Sequence, residues 1–411
     1  MKLITFLFLL AFTLPACKKN GDEPPPPDPC QVKTDSTALE VLWKVENIIS
    51  STWRVNTSIR PIPFNGNVLT SNQPANNTIL TMRDGNTGAP LWEKELPSIL
   101  PTLLPGNSFV LDNGKLYMEL QGQITSLDLT TQETELIYDV PLFSAHYIQV
   151  FGKYLLTQYI EDMETTPYWR SEDKILLIDL ETKAAQIVYA YAHSHSSYRP
   201  LLLDPTLWLS AQGDTKLTFL KITDTLESIH REYELTTLNL SQNDTLYNLP
   251  IKNVGSYSGN LLIHDQRIFI PTENAVLGFD GASGDQRWKV DVSSYYGDAT
   301  YLLFADNKLI AYCKHYCSAT IAIDPATGSI LWRSDYLDLY SRADYIAIEN
   351  GKAFFSTYDA VKAIDLATGC LLWHRPRVKS YFYLTGGVSI DPILQHFYLL
   401  DEENIYCVNF Q

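Results

Sequence analysis

The sequence has little helical periodicity, little positive charge and no familiar catalytic motif. It carries 31 basic residues against 47 acidic ones, a net charge of −16, which disfavours binding to nucleic acid or to anionic lipid headgroups. Nucleophile elbows, phosphate-binding loops and zinc-ligand spacings are absent. The enzyme classes that depend on those motifs are therefore not indicated.

The apolar run near the N-terminus is too short to span a bilayer. It extends from Leu3 to Leu14, whereas a transmembrane helix needs about 20 residues. Together with Lys2 and the small-residue flank it has the anatomy of a secretory signal, residues 1–16. Cys17 follows directly after Leu-Pro-Ala, which resembles a bacterial lipobox and implies cleavage before Cys17 and lipidation of that cysteine. An ordinary signal peptide with an incidental cysteine is the alternative.

Residues 17–34 are charged and proline-rich. Four consecutive prolines, Pro24 to Pro27, form a stiff extended spacer and cannot join a sheet. The proline run is locally stiff, but we expect residues 17–34 as a whole to form a lipid-anchored, flexible tether that holds a domain off a bacterial outer membrane. The sequence does not say whether the periplasmic or the cell-surface side carries it.

A twelve-residue repeat organises the rest of the chain. In IAIDPATGSILW an apolar strand ends at Asp324, a turn follows, and Trp332 lies eight residues after the aspartate. KAIDLATGCLLW repeats the pattern at Asp365 and Trp373, and weaker copies place an acid or amide at intervals of roughly 40–60 residues. The seven anchor residues are Asp84, Asp128, Asp179, Asn239, Asp280, Asp324 and Asp365.

Turn chemistry explains these residue types. A carboxylate at the end of a strand accepts hydrogen bonds from backbone N–H groups two or three residues later, and glycine supplies the positive φ of a tight reversal. Each copy therefore predicts a β-hairpin. A hairpin cannot bury its own faces, so the array predicts stacked sheets with tryptophan filling the space between neighbours.

The pattern resembles the docking motif of PQQ-like, quinoprotein-type repeat β-propellers. The matching residues in the best copy are Ala322, Asp324, Thr327, Gly328 and Trp332. The order of lipobox, spacer and single propeller is also similar to the propeller lipoproteins of outer-membrane β-barrel assembly machinery. The resemblance implies an all-β fold and a non-enzymatic scaffold for protein binding or assembly in the cell envelope.

The two ends of the chain predict how the ring closes. Apolar segments place four strands in each repeat, which fits a propeller blade. The C-terminal strands reach Asn409 without a following tryptophan strand, while the strand around Trp43 has no hairpin of its own. We therefore expect one domain, residues 35–411, with eight four-stranded antiparallel blades and the N-terminal strand completing the last. Seven blades is the alternative.

Five cysteines remain besides the lipidation candidate. Cys313 and Cys317 bracket an extended hairpin tip, so we favour a disulfide between them; a metal site with His315 is the alternative. Cys407 occupies a position where other repeats have alanine or glycine, which indicates a small buried residue. Whether Cys370 pairs with Cys30 stays open.

Two functions other than a scaffold remain as alternatives. The quinoprotein resemblance allows a quinone-dependent dehydrogenase, but the chain has no adjacent cysteine pair and no marked aspartate base, so neither PQQ nor a metal is expected. A glycan-binding or glycan-degrading surface lipoprotein is the other alternative, although the Asp-to-Trp spacing of eight differs from the five of a sialidase Asp-box. His193 and His195 suit a metal or acid–base pair, yet this spacing in a polar connection is more often solvated.

One face of the propeller carries the long connections. We place loop-like insertions at residues 161–173 and 213–231, beside the blade connections around His146 and at 189–200. Neutral drift in tolerant loops is the alternative. The nearby acids disfavour anionic glycans, so a protein partner is the first expectation and a neutral oligosaccharide the second, bound to a monomeric propeller. The predicted partner-binding residues are Tyr168, Trp169, His193, His195, Tyr198 and Arg199.

Overall fold

The computed structural model describes the repeats but not every connection between them. The described residues are 40–46, 60–72, 77–97, 109–120, 122–140, 147–163, 170–193, 201–223, 232–252, 257, 259–292, 300–313, 320–334, 346–356, 360–376, 388–400 and 404–409. All regular structure in these ranges is β-strand. Among them no helix is long and apolar enough to cross a membrane.

The first four blades are consecutive four-stranded antiparallel meanders. Blade 1 contains β2 (Ile62–Phe64), β3 (Asn67–Asn72), β4 (Asn77–Asp84) and β5 (Pro90–Pro97). Blade 2 contains β6 (Phe109–Asp112), β7 (Lys115–Leu120), β8 (Gln123–Asp128) and β9 (Thr134–Asp139). Blade 3 contains β10 (Tyr147–Phe151), β11 (Tyr154–Met163), β12 (Arg170–Asp179) and β13 (Ala185–His193). Blade 4 contains β14 (Leu202–Leu209), β15 (Thr215–Ile222), β16 (Tyr233–Asn239) and β17 (Asp244–Ile251).

Three further meanders and one composite blade complete the fold. Blade 5 contains β18 (Leu262–His264), β19 (Arg267–Pro271), β20 (Ala275–Asp280) and β21 (Gln286–Asp291). Blade 6 contains β22 (Thr300–Ala305), β23 (Lys308–Cys313), β24 (Thr320–Ile323) and β25 (Ile330–Ser334). Blade 7 contains β26 (Ile346–Glu349), β27 (Lys352–Ser356), β28 (Ala360–Asp365) and β29 (Leu371–Pro376). Blade 8 joins β30 (Val388–Asp391), β31 (His396–Leu400) and β32 (Asn404–Asn409) to β1 (Glu40–Glu46).

The N-terminal strand closes the ring as the sequence predicted. β1 is antiparallel to β32, with Trp43 opposite Cys407 and Glu40 opposite Asn409. The inner strand of blade 1, β2, contacts the inner strand of blade 8, β30. The described strands therefore form an eight-bladed all-β propeller, and the seven-bladed alternative is wrong.

The anchor residues cap the turns in the predicted way. The Oδ1 atom of Asp324 accepts the backbone N–H groups of Ala326 at 2.7 Å and Thr327 at 3.0 Å. The same two-N–H pattern recurs at Asp84, Asp128, Asp179 and Asp280. These bonds stabilise the carboxylate form and hold the pKa of Asp84, Asp128 and Asp324 below its usual value. The hydrogen bonds from Lys153 to Asp179 and from Arg287 to Asp280 are the larger cause of the lowered pKa at those two anchors.

Trp288 and Trp332 each pack on the turn of the following blade. The indole of Trp288 donates to the carbonyl of Pro325 at 3.1 Å, and a Cβ on Gly328 would lie only 2.8 Å from that ring. Trp332 repeats the arrangement one blade later, with its indole N–H 2.9 Å from the carbonyl of Leu366 and its ring against Gly369. The glycine therefore supplies both a left-handed φ of 76° and the space for the ring.

The same contact joins the two ends of the chain. The indole of Trp43 in blade 8 donates to the carbonyl of Gly85 in blade 1 at 2.9 Å, and its ring covers Gly88. In every instance the acceptor is the residue directly after an anchor aspartate. The residue that completes the last blade thus also fastens that blade to the first.

The core lies between blades. One cluster combines Phe269 and Val276 of blade 5 with Leu302, Leu309 and Ile321 of blade 6. Similar clusters join blade 4 to blade 5 and blade 8 to blade 1. Each blade is therefore stabilised mainly by its neighbours, as expected of stacked repeats.

The cysteines confirm one prediction. Cys407 is a free, fully buried thiol beside Trp43, and burial raises its pKa to about 12. Cys370 is disulfide-bonded. Cys317, Cys30 and Cys17 lie outside the described residues, so the Cys313–Cys317 pairing and the lipidation site remain predictions.

Removing Trp43 tests the closure of the ring. Trp43→Ala deletes a buried indole and its hydrogen bond to Gly85, so we expect a loss of about 3–5 kcal/mol in the free energy of unfolding. Leu42→Ala, at the adjacent and 38% exposed position, is the control and should change it by less than about 1 kcal/mol. Equal denaturant midpoints for Trp43→Ala and the parent protein would contradict this closure.

Two glycine substitutions separate backbone strain from blade docking. Gly328 and Gly351 both have positive φ, but only Gly328 lies against a tryptophan ring. Gly351→Ala should cost about 1–2 kcal/mol for the left-handed conformation, and Gly328→Ala a further 1–3 kcal/mol or so for the overlap with Trp288. Denaturant unfolding measures both. Identical losses would mean that the ring contributes nothing at this turn.

Acid should weaken the turn of blade 3. The hydrogen bond from Lys153 and the N–H of Thr182 lower the pKa of Asp179 from 3.8 to about 2. A carboxyl whose pKa is lower in the folded than in the unfolded state stabilises the fold at pH values above its unfolded-state pKa. That contribution is lost as the pH falls towards the folded-state pKa. Asp179→Asn should therefore flatten the decline of unfolding free energy between pH 3.8 and about 2. Lys153→Met, which keeps the backbone hydrogen bonds, should flatten it less. An unchanged slope in both variants would exclude this linkage.

Candidate functional site

Blade 3 has longer strands than its neighbours. β11 and β12 have ten residues each, whereas β7 and β8 of blade 2 have six each, and β15 and β16 of blade 4 have eight and seven. The added length lies at the end opposite the Asp179 turn, where Glu161 pairs with Glu172 and Met163 with Arg170. The sequence interpretation of residues 161–173 as a loop is therefore wrong, because the strands continue to Met163 and resume at Arg170. Apolar alternation fails there because both faces of the extension are polar.

An ion cluster covers the side of this extension that faces blade 2. The ammonium of Lys174 contacts the carboxylate of Glu161 and lies 3.0 Å from that of Glu172. Burial disfavours the charged form of Lys174, but the two carboxylate hydrogen bonds outweigh it and raise its pKa. Two carboxylates share one ammonium, so the cluster keeps a net negative charge.

The opposite side, facing blade 4, presents an aromatic and charged pair. The ammonium of Lys221 lies 5.3 Å from the ring centroid of Tyr191 and 2.5 Å from a carboxylate oxygen of Glu234. Burial opposes the charge of Lys221, while the hydrogen bond that its ammonium donates to Glu234 and the nearby tyrosines raise its pKa overall. Lys221 thus carries a persistent positive charge beside an aromatic surface.

Buried polar ties fix this edge of blade 4 to blade 3. Asp173 is fully buried, and one of its carboxylate oxygens accepts the N–H groups of Leu201 and, at 3.0 Å, Leu202. The side-chain amide of Gln158 donates to the carbonyl of Leu202 at 2.8 Å. Asp173, which the sequence grouped with the acids of an exposed loop, is therefore a structural residue. Its role depends on residues 28 and 29 positions later, which no local pattern signals.

A second tie joins blade 4 to blade 5. The carboxylate of Asp204, at a positive φ of 47°, accepts the hydroxyl of Tyr257 and the N–H of Leu261 at 3.1 Å. Burial and the negative charge of Asp204 raise the pKa of Tyr257, which stays protonated as a donor. The inner strands beneath the candidate surface are thus held by hydrogen bonds as well as by packing.

The predicted excursion of blade 4 is also shorter than expected. Residues 213–231 were interpreted as a single insertion, but β15 occupies Thr215–Ile222 within that range. Lys216 to Leu220 are all buried, as in a strand covered on both faces by neighbouring blades.

The structure brings the ends of the predicted binding segments together. Met163 and Arg170 are paired at the tip of β11 and β12, and His193 at the end of β13 pairs with Ser171. The residues between these ends lie outside the described ranges, including Tyr168, Trp169, His195, Tyr198, Arg199 and the neighbouring connection at His146. Lys174, Lys221 and Glu234, which the sequence did not single out, line the base of the same surface.

Side chains that commonly bind metals are dispersed over the described residues. Within those ranges no three His, Cys, Asp or Glu side chains come together as metal ligands. The only described free cysteine, Cys407, is buried between blades 8 and 1.

Comparisons with known proteins agree with this architecture. Residues 252–411 match the family model described as outer membrane protein assembly factor BamB. These residues span blades 5 to 7 and the C-terminal strands of blade 8. No curated protein matches the sequence.

Two solved structures share the fold at low sequence identity. The C-terminal WD40 domain of Sif2 is 11% identical with a TM-score of 0.56, and covers 91% of this chain and 98% of that one. A europium-containing methanol dehydrogenase is 12% identical with a TM-score of 0.51, and covers 90% of this chain and 86% of that one. At this level both show the propeller fold alone. The chain is an eight-bladed β-propeller whose residues 252–411 match the BamB family model.

Proposed function

We propose that this protein is a non-enzymatic envelope lipoprotein whose propeller binds a protein partner through blades 3 and 4. The observation that carries the proposal is the extension of β11, β12 and β13 beyond the length that the other blades need. Asp173 ties the base of the extension to blade 4, and the residues beyond it add area for a binding surface on a rigid base. The match to an outer membrane protein assembly factor supports a role in binding proteins at an envelope membrane.

The chemistry of the surface favours a protein over a small apolar ligand. Tyr191 offers an aromatic face, Lys221 and Glu234 offer charge, and the Glu161–Lys174–Glu172 cluster adds carboxylates. Aromatic groups beside paired charges are typical of protein interfaces, where the aromatic residues contribute most of the affinity. The buried ties at Asp173 and Gln158 hold the base still, which limits the entropy lost on binding.

The remaining parts of the proposal concern location. Lipidation of Cys17 would anchor the chain to a bacterial outer membrane, and residues 17–34 would hold the propeller away from it. The excess of acidic residues disfavours direct contact between the propeller and anionic headgroups. The lipid would then be the main membrane attachment, leaving blades 3 and 4 free for a partner.

A loop variant tests the location of the binding surface. Tyr168→Ala, Trp169→Ala and Arg199→Ala together should remove most specific partners in a pull-down from solubilised envelope. The loss should be at least tenfold, because aromatic and arginine side chains dominate interface energies. Quantitative mass spectrometry of the captured proteins is the measurement.

A matched variant on the opposite face controls for general surface changes. Asn86→Ala, Glu133→Ala and Arg287→Ala alter exposed residues at or beside the turns of blades 1, 2 and 5. This variant should capture the same partners as the parent protein. If the loop variant retains every specific partner with its unfolding midpoint intact, the binding face has been assigned wrongly.

A further inference from the structure

The outer strands of a propeller are exposed sheet edges, and this chain protects seven of its eight. An unpaired edge invites strand addition, and charged residues or proline on the edge prevent it. Among the described outer strands, β5, β9, β17, β21, β25, β29 and β1 each carry such a residue, exemplified by Glu93, Glu135, Pro250, Lys289, Arg333, Arg375 and Lys44. β13, with the sequence AQIVYAYAH, carries no Asp, Glu, Lys, Arg or Pro.

β13 also has the length and regularity that strand addition needs. It has nine residues and pairs with β12 on its inner side. The register shift near Ile175 and Leu176 leaves Tyr189 to His193 as a regular segment opposite Ile175 to Ser171. Alternate residues of that segment direct their N–H and C=O groups outward, because a strand paired on one side uses only half of them.

The side chains on the two faces of this segment determine which side chains of a partner strand would fit beside them. On the blade 4 face, Tyr189 packs on Phe219 at 4.6 Å between ring centroids and Tyr191 lies beneath Lys221. On the other face, Ala190 and Ala192 are exposed and lie directly opposite Lys174 and Glu172. Small alanines leave room for long side chains, and the carboxylates of Glu172 and Glu161 outnumber the ammonium of Lys174.

We propose that β13 is a strand-addition site for an extended segment of a partner protein in which apolar and basic residues alternate. The apolar residues would lie beside Tyr189 and Tyr191, and the basic residues beside Ala190 and Ala192 near Glu172. The proposal rests on the proposed function and specifies how the same region is recognised. Backbone hydrogen bonds supply the affinity, and the two faces supply the selectivity.

A second copy of this chain is a poorer occupant of the edge. Two molecules that each carry a net charge of −16 repel one another, and β13 itself has no basic residue to place beside Glu172. The negative potential that repels a second copy attracts a cationic segment. Charge complementarity therefore selects the partner segment over self-association.

Binding of a synthetic peptide tests the edge directly. The probe is a fluorescent heptapeptide of alternating lysine and valine, and its control has the same sequence with every second backbone nitrogen methylated. The methyl groups remove the donors of one edge without changing charge, so the control peptide should bind at least tenfold more weakly in fluorescence anisotropy. Equal binding of the two peptides, or binding of neither, would overturn the proposal.

Edge variants locate the binding on β13. The double variant Ala190→Lys, Ala192→Lys introduces the lysine protection that other edges have, and should weaken the unmethylated peptide at least tenfold. Its matched control is Leu91→Lys with Leu136→Lys, at exposed positions of the already protected β5 and β9, and should bind like the parent protein. Both must keep the parent's unfolding midpoint. Equal affinities for the two double variants would also overturn the proposal.

The outcomes separate this inference from the proposed function. Retention of envelope partners by the Ala190→Lys, Ala192→Lys variant, together with their loss in the loop variant, would overturn strand addition and leave the binding face intact. Self-association of the parent protein in sedimentation, abolished by the edge variant, would identify a second copy as the occupant and overturn the partner segment.

Discussion

The contact between a tryptophan and the turn of the next blade is the interaction on which the ring depends. The turn must expose one carbonyl as an acceptor and one glycine as a flat surface, and the anchor aspartate shapes it by holding two N–H groups. Carboxylate, glycine and indole therefore form a single structural contact that spans two blades. Since Trp43 makes the same contact with blade 1, this contact also joins blade 8 to blade 1 and closes the ring.

Where the tryptophan contact is absent, other interactions join the neighbouring blades. Blade 4 keeps the geometry with Tyr247, whose hydroxyl donates to Gly281 at 3.1 Å. Blade 3 has Ile187 in the tryptophan position, 46% exposed, and the turn that follows has Asn243 in place of glycine. Blades 3 and 4 are instead joined by the buried hydrogen bonds of Asp173 and Gln158. Directional polar bonds thus replace an aromatic contact at the junction that bears the candidate surface.

The sequence predicted what is local and repeated, and missed what is long-range. Asp324 and Trp332 define a turn and its filling within nine residues, so the repeat, the strand count and the closing role of Trp43 were all accessible. Asp173 was misplaced because its partners, Leu201 and Leu202, belong to another blade. Lys221 was missed because its significance lies in Tyr191, which only the docking of two blades brings near. The extension of β11 and β12 looked like a loop because the side chains on both of its faces are polar, so no apolar alternation marks the strands.

Edge protection links the fold to its use. Closing a propeller pairs the first strand with the last, but it leaves each blade's outer strand unpaired, so every blade must protect its own edge. Protection by charge costs little on a surface already rich in acids, and seven blades have it. The exception is blade 3, whose strands β11 and β12 are the longest described and whose tryptophan position holds Ile187. An uncharged outer edge, long strands and a missing tryptophan contact coincide there, at the junction that the buried hydrogen bonds of Asp173 and Gln158 hold together.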